Sequence, residues 1–324
     1  MLTLFSTAKP FEGHSAIIQR NALKSWTLLH PEIEVILFGD DPGAAETARE
    51  LGIRHVPEVE RVPQGPKVLR SFFDAAQRIA RHDILCYANC DIVLTPDFFA
   101  AVATLRKTLD RFLMIGRRWD TDIGAPLPFE QNDWAAEVRK QALEANHPCA
   151  GTWIDYFVFP KGFYLGKLPA FVIGRVVWDH WLVWKARASG LPVVDASEGV
   201  IAIHQNHDYG YHPGGAGGVW SDDLAQRNRA LAGSHWHLAT MDDATHLLGA
   251  TGVRRNPRSN AQALRRFIRN FWQTARLAML DWTRPTRHAL GLRKRRAGAD
   301  VPLERERVPE TSASSAESYL FPAK

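Results

Sequence analysis

Five short strand-like runs, most of them apolar at successive positions, alternate with four helix-like stretches over the first 115 residues. The runs lie at 2–6, 35–38, 53–56, 84–88 and 112–115, and the helical spacing at 14–29, 42–51, 66–80 and from Thr95-Pro96 to about residue 109. Strands apolar at successive positions are buried on both faces, and their alternation with helices specifies a parallel sheet covered on both sides. The expected class is therefore α/β, with a mostly parallel central sheet and helices on both faces. Ligands of such sheets gather where strands end at their carboxyl edge. The polar strand ends Ser6-Thr7, Gly39-Asp40-Asp41 and Asn89-Cys90-Asp91 are thus expected around one crevice.

Beyond this region the pattern predicts a loop over 117–129, a helix over 133–146, a strand over 153–159, a helix over 176–188, and short strands at 192–194 and 200–204. The glycines around Pro213 make 210–218 an expected mobile lid. Leu264, Ile268, Phe271, Ala275, Ala278 and Trp282 recur at helical spacing, with Arg265, Arg266, Arg269 and Arg276 between them. This is a basic amphipathic helix, followed by Arg293-Lys294-Arg295-Arg296. Two fates are open to it: peripheral contact of 261–296 with an anionic membrane, or packing of its apolar side onto the body. Periodicity fades from 283 onward, where a disordered tail is expected. The expected division is a domain over 1–250, a helical extension over 251–282 and the tail over 283–324.

Charge follows that division. Residues 254–296 hold thirteen Lys and Arg against the single acid Asp281, whereas residues 1–253 hold 24 basic and 29 acidic side chains. The net +5 of the 324-residue chain therefore belongs to its C-terminal part, and no nucleic-acid partner is expected. No apolar run approaches the ~20 residues that span a bilayer. The N-terminus does not read as a signal peptide. Cys86, Cys90 and Cys149 lack metal-ligand spacing. A cytoplasmic setting, extending to the inner face of the membrane, is expected.

The sharpest chemical feature is Ile84-Leu85-Cys86-Tyr87-Ala88-Asn89-Cys90-Asp91. Asn89 and Asp91 are two apart at the end of a buried strand, so on extended chain they face one side. Oxygen ligands so placed suit a hard divalent cation that also binds phosphates; an Asx-turn leading to Thr95 is the plain structural alternative. Lys67 and Arg70 occupy an expected first helical turn, where the helix dipole disfavours cations and a bound anion relieves the conflict. Asp155 sits within an aromatic stretch, and a buried carboxylate needs a partner or a task. Asp179 stands at a helix start, where it either stabilises the dipole or serves as an acid or base. His204 and His207 follow a short strand.

Strand–Asn89–x–Asp91 after such an α/β half resembles the DxD motif of GT-A glycosyltransferases, over about residues 2–235. The resemblance implies a Rossmann-like GT-A fold and a nucleotide-diphospho-sugar donor, most simply a UDP-sugar. It also implies Mn²⁺ or Mg²⁺ and transfer to a glycan or lipid-linked acceptor, with inversion. Asp91 then contacts the metal, and a late histidine, His204 or His207, completes the site. Ser6, Thr7, Asp40, Lys67, Arg70 and Asn89 meet the nucleotide. Asp155 receives sugar hydroxyls and Asp179 deprotonates the acceptor. Asn89 departs from the motif's first acid, which keeps a non-catalytic nucleotide-sugar-binding module as an alternative. A sugar nucleotidyltransferase is disfavoured, because Ser6-Thr7-Ala8-Lys9-Pro10 has no glycine-rich loop.

Overall fold

The structure, a computed structural model, describes residues 1–145, 148–208 and 213–282. Its first half runs β1 (Leu2–Thr7), α1 (Gly13–Thr27), β2 (Glu34–Phe38), α2 (Ala44–Leu51), β3 (Arg54–Val56), α3 (Leu69–Ile79) and β4 (Ile84–Ala88). Then come β5 (Ile92–Val93), α4 (Pro96–Thr108), β6 (Leu113–Ile115), β7 (Arg118–Thr121), α5 (Trp134–Ala145) and β8 (Tyr156–Pro160). The remainder is α6 (Trp178–Ala188), β9 (Val193–Asp195), β10 (Ala202–Gln205), α7 (Gly215–Ser221), α8 (Asp223–Ala232), β11 (His246–Gly249), β12 (Gly252–Arg255) and α9 (Ser259–Trp282).

Among the described residues, nine strands form one sheet in the order β12-β11-β9-β6-β8-β4-β1-β2-β3. Parallel pairing joins β1 to β2 and β4, β2 to β3, and β9 to β6 and β11. Strand β8 lies antiparallel between β4 and β6, and β12 antiparallel at the edge. The expected α/β class with a mostly parallel sheet is what the chain adopts. Strand β12 carries the sheet to Arg255, a few residues past 250.

Period-two alternation on two-sided strands feeds two cores. Phe5, Tyr87, Phe157 and Phe159 point to the side where α3 supplies Phe72 and Phe73 and α6 supplies Trp181 and Leu182. Leu4, Cys86, Ala88 and Val158 point to the other, where α1 brings Trp26, α2 brings Ala48 and α4 brings Phe98. Phe73 and Phe159 stack with ring centroids 5.8 Å apart. Truncating such a fully buried ring to Ala costs about 3–5 kcal/mol.

Several expectations are corrected. The expected loop 117–129 contains β7, because Arg118–Thr121 pairs in parallel register with β10. The expected loop 210–218 is helical from Gly215, and 209–212 lie outside the described residues. Helix α3 starts at Leu69 rather than 66, since Val68 bridges Val172 and the Lys67 carbonyl accepts from the Ile173 amide at 3.0 Å. Lys67 therefore precedes the helix instead of occupying its first turn. Strand β8 starts after Asp155, whose side chain is tied elsewhere. The β11–β12 hairpin was not expected, its polar and glycine-rich residues giving little strand signal.

The three cysteines are free thiols. No helix among the described residues is long and apolar enough to cross a membrane. Helix α9 forms as its periodicity predicts, up to Trp282. The tail over 283–324, with Arg293–Arg296, lies outside the described residues.

Candidate metal and active-site cleft

A cleft of about 1370 Å³ opens at the carboxyl edge of β1, β2 and β4. Thr7, Asp41, Asn89 and Asp91 reach it from those strand ends, and Asp155, just before β8, and Asp179, in α6, line it as well. His204 and His207 close one corner.

Strand pairing builds that corner. The small sheet β5-β10-β7 sets His204 in register with Ile92 on one side and Asp120 on the other. His204 thus arrives beside Asp91, which immediately precedes β5. His207 Nε2 lies 3.2 Å from Asp91 Oδ2, and His204 Nε2 lies 3.9 Å from the same atom. One ligand atom from each of the three residues falls within 4.8 Å of the others. Asp91 Oδ1 is buried with no hydrogen-bond partner among the described residues. A desolvated carboxylate oxygen left over beside two imidazoles fits a divalent cation, since leaving it unmet is costly. Burial pushes the Asp91 carboxyl up, but the His207 hydrogen bond and the charges of His204, His207 and Lys9 outweigh it and hold the group well below the usual range.

Behind the corner runs a continuous polar chain. Asp120 Oδ1 lies 3.0 Å from His204 Nδ1 and 2.9 Å from Arg118 Nε. Arg118 then donates to Asp155 Oδ2 at 2.9 Å. Asn89 Nδ2 donates to Asp155 Oδ1 at 2.6 Å, and Asn89 Oδ1 accepts from the Tyr87 hydroxyl at 2.9 Å. Both oxygens of Asp155 are therefore engaged, and Asn89 is turned toward Asp155 while Asp91 meets the histidines. Despite the burial of Asp120, His204 and Arg118 bring its pKa down to about 2. A carboxylate on the far nitrogen of a ligating imidazole fixes its tautomer and orientation. The Arg118 guanidinium also lies over the Trp153 ring, 4.5 Å from its centroid.

The other end of the cleft is internally paired. Lys67 Nζ meets Asp41 Oδ2 at 2.6 Å and donates to the Ala8 carbonyl at 2.7 Å. Burial lowers the Lys67 pKa and the Asp41 partnership opposes the shift. Gly39, at φ +106°, makes room for this: a Cβ there would sit 2.6 Å from Lys67 Cε and 2.8 Å from Asp41 Oδ2. Asp41, not the expected Asp40, faces the cleft. Asp40 is exposed and pairs with Arg61 at 2.6 Å, and the same guanidinium lies 3.3 Å from Asp41 Oδ1. The chain has left β2 at Phe38 and turns at Gly39, so strand alternation no longer sets these two side chains. Arg70 is likewise directed away from Lys67, 3.4 Å from Glu60 and outside the cleft lining. Ser6 is fully buried and donates to the Ala88 carbonyl at 2.6 Å, tying β1 to β4. Thr7 does line the cleft, and its buried Oγ1 has no hydrogen-bond partner among the described residues.

Asp179 lies in the first turn of α6 with its side chain 22% exposed. Burial raises its pKa, and the nearby His180 opposes the rise. Val177, which precedes α6, has φ +76°, the one non-glycine residue in that region among those described. A β-branched residue in left-handed conformation is strained, and such strain collects where surrounding structure fixes a functional geometry. His180 is a packing residue, 3.0 Å from the Thr152 carbonyl.

Sequence reasoning missed Asp120 and Arg118, which it left in a loop. The alternation Arg118/Asp120 against Trp119/Thr121 was the available signal. Lys9, Trp153 and Trp220 also line the cleft and carried no recognisable pattern, whereas Asp41 lies in the expected polar strand end Gly39-Asp40-Asp41.

No family model matches the chain, and no curated protein does. Among solved structures, glucosyl-3-phosphoglycerate synthase from Mycobacterium tuberculosis, in complex with Mg²⁺ and uridine diphosphate, is 16% identical at a TM-score of 0.41, covering 64% of this chain and 72% of that one. TarS 1–349 from S. aureus is 10% identical at 0.37, covering 64% and 58%. These are likenesses of fold alone.

Proposed function

We propose that this chain is a GT-A-type glycosyltransferase that moves a sugar from a nucleotide-diphospho-sugar, most simply a UDP-sugar, to an acceptor hydroxyl. The observation that supports it most is the convergence of Asp91, His204 and His207 around an unmet buried oxygen, in the same cleft as Asp179. A divalent cation there, Mn²⁺ or Mg²⁺, supplies charge stabilisation to a departing diphosphate.

The chain's own residues divide the remaining tasks. Thr7 offers its unmet hydroxyl to the nucleoside, and the Asp41–Lys67 pair shapes that end of the cleft. Asp179 takes the acceptor's proton as the hydroxyl oxygen bonds to the anomeric carbon and the bond to the diphosphate breaks, with inversion. Two carboxylates pushed in opposite directions, Asp91 down and Asp179 up, suit one held ionised and one that exchanges a proton. Asp155 acts through Arg118 and Asn89 as a positioning residue for sugar hydroxyls.

The test is calorimetric titration of UDP, GDP and their sugar conjugates with and without Mn²⁺, on wild type, Asp91→Ala and Asp179→Asn. Metal-dependent binding lost in the first variant, with turnover lost in the second while binding persists, is the expected result. Binding without any release of nucleotide from its sugar would leave a binding module. No nucleotide binding under any condition would overturn the donor site itself.

A further inference from the structure

Helix α9 is docked with its polar side inward. Arg266 Nε meets Asp243 Oδ1 at 3.0 Å, and Asn270 is 4% exposed. The Trp236 indole donates to Thr274 Oγ1 at 3.0 Å, and the Asn270 carbonyl lies 3.2 Å from His235 Nε2. These contacts face the 3-10 turns His235–His237 and Met241–Asp243. The large apolar residues point the other way: Leu264, Ile268, Phe271 and Trp272 are 46–67% exposed. Of the expectations for this helix, packing of its apolar stripe onto the body is thus excluded for those four residues. Phe267 reaches back, its ring 5.6 Å from that of Trp236.

At 100° per residue, Leu264, Ile268 and Phe271 fall on one stripe, with Trp272 at its margin. Arg265, Arg269 and Arg276 line the edge beyond Trp272, and all three are exposed. An aromatic-rich apolar strip bordered by arginines matches an interfacial helix, whose apolar side enters the acyl boundary while cations meet anionic headgroups. Charge complementarity selects the occupant. The arginine edge favours an anionic surface and would repel the like edge of a second copy.

We infer that the outward face of α9, Leu264, Ile268, Phe271 and Trp272 with Arg265, Arg269 and Arg276, docks on an anionic lipid surface. The body is then held at the membrane through its polar contacts to the 235–243 segment. That segment connects to the cleft wall, since the Met241 amide donates to the Gly151 carbonyl at 3.1 Å, next to Thr152 in the lining. The cleft is thereby brought to lipid-borne hydroxyls, which deepens the proposed function by naming its acceptor class and rests on that reading for this one consequence.

The test is flotation of the full-length chain with phosphatidylcholine vesicles, with and without phosphatidylglycerol, at low and high salt. Binding is expected only to the anionic vesicles and falls with salt. Arg265→Gln and Arg276→Gln each weaken partition about five-fold, the worth of one cation near an anionic surface. Phe271→Ser with Trp272→Ser weakens it more than either. All these side chains point to solvent, so circular dichroism and melting of the variants stay at wild type. Absence of partition in a folded, monomeric wild-type chain would overturn the inference. Equal binding to neutral vesicles would overturn the arginine role, and a dimer dissociated by Phe271→Ser would assign the face to a second copy. Flotation reads no catalysis, so its failure is distinct from failure of the transferase reading.

Discussion

The two ends of the cleft are built from the same materials and use them in opposite ways. At the Asp41 end, the buried carboxylate lies between two cations, the Lys67 ammonium at 2.6 Å and the Arg61 guanidinium at 3.3 Å, and Lys67 adds the Ala8 carbonyl. At the Asp91 end, two histidines approach one oxygen while the other stays buried and unmet. A pair closed on itself is a fixed part of the wall, whereas a leftover ligand atom is provision for something the chain does not contain. The paired end should therefore fail as a fold when broken, and the unpaired end as a binding site.

The largest expected effect is on the paired end. Lys67→Met removes the nearer cation of buried Asp41 and leaves Arg61 at 3.3 Å, so the loss is at most the about 3–5 kcal/mol of a broken buried pair. Urea denaturation should show that loss in midpoint with an unchanged slope; a variant as stable as wild type would mean that Asp41 is solvated after all. At the other end, Asp91→Ala should weaken Mn²⁺-assisted nucleotide binding by more than about 100-fold, because even outer-shell partners of metal ligands are worth 10–100-fold. Its metal-free melting temperature should stay near wild type, and a large drop would mean that Asp91 is structural. A smaller effect is expected from Asp120→Asn, which keeps shape but removes the charge facing His204 Nδ1. Mn²⁺ affinity, read by electron paramagnetic resonance, should fall by about 10-fold. An unchanged affinity would leave His204 oriented by its β-sheet register alone.

The contrast also explains what could be read in advance. Strand ends were legible because apolar runs and their polar terminators are local, so Thr7, Asn89 and Asp91 were placed by chain order alone. The two histidines were named without a choice between them, and pairing of β10 with β5 and β7 brings both to Asp91. Partnerships were not legible. Asp40 and Asp41 are adjacent, and the turn at Gly39, past the end of β2, decides which one faces the cleft. Asp120 and Arg118 gained significance from β7 joining β10, a pairing across more than eighty residues. Helix α9 was legible as an amphipathic period but not in its orientation. That orientation depends on Arg266 finding Asp243 and Asn270 being buried, contacts that a helical wheel does not contain.

The smallest effect concerns a cation near the paired end but not part of it. Arg70 was expected to bind anions with Lys67, yet it is 47% exposed and lies 3.4 Å from Glu60, itself 48% exposed. An ion pair this open to solvent gains little Coulomb energy and loses side-chain freedom, so it is worth 0 to about 1 kcal/mol. Arg70→Ala should accordingly leave both the denaturation midpoint and nucleotide affinity close to wild type, while Lys67→Met changes the first strongly. If Arg70→Ala instead weakened nucleotide binding ten-fold, α3 would have to present its first turn to the ligand. The closed Asp41–Lys67 pair would then be a ligand contact as well as a piece of wall, and the division between the two ends would not hold.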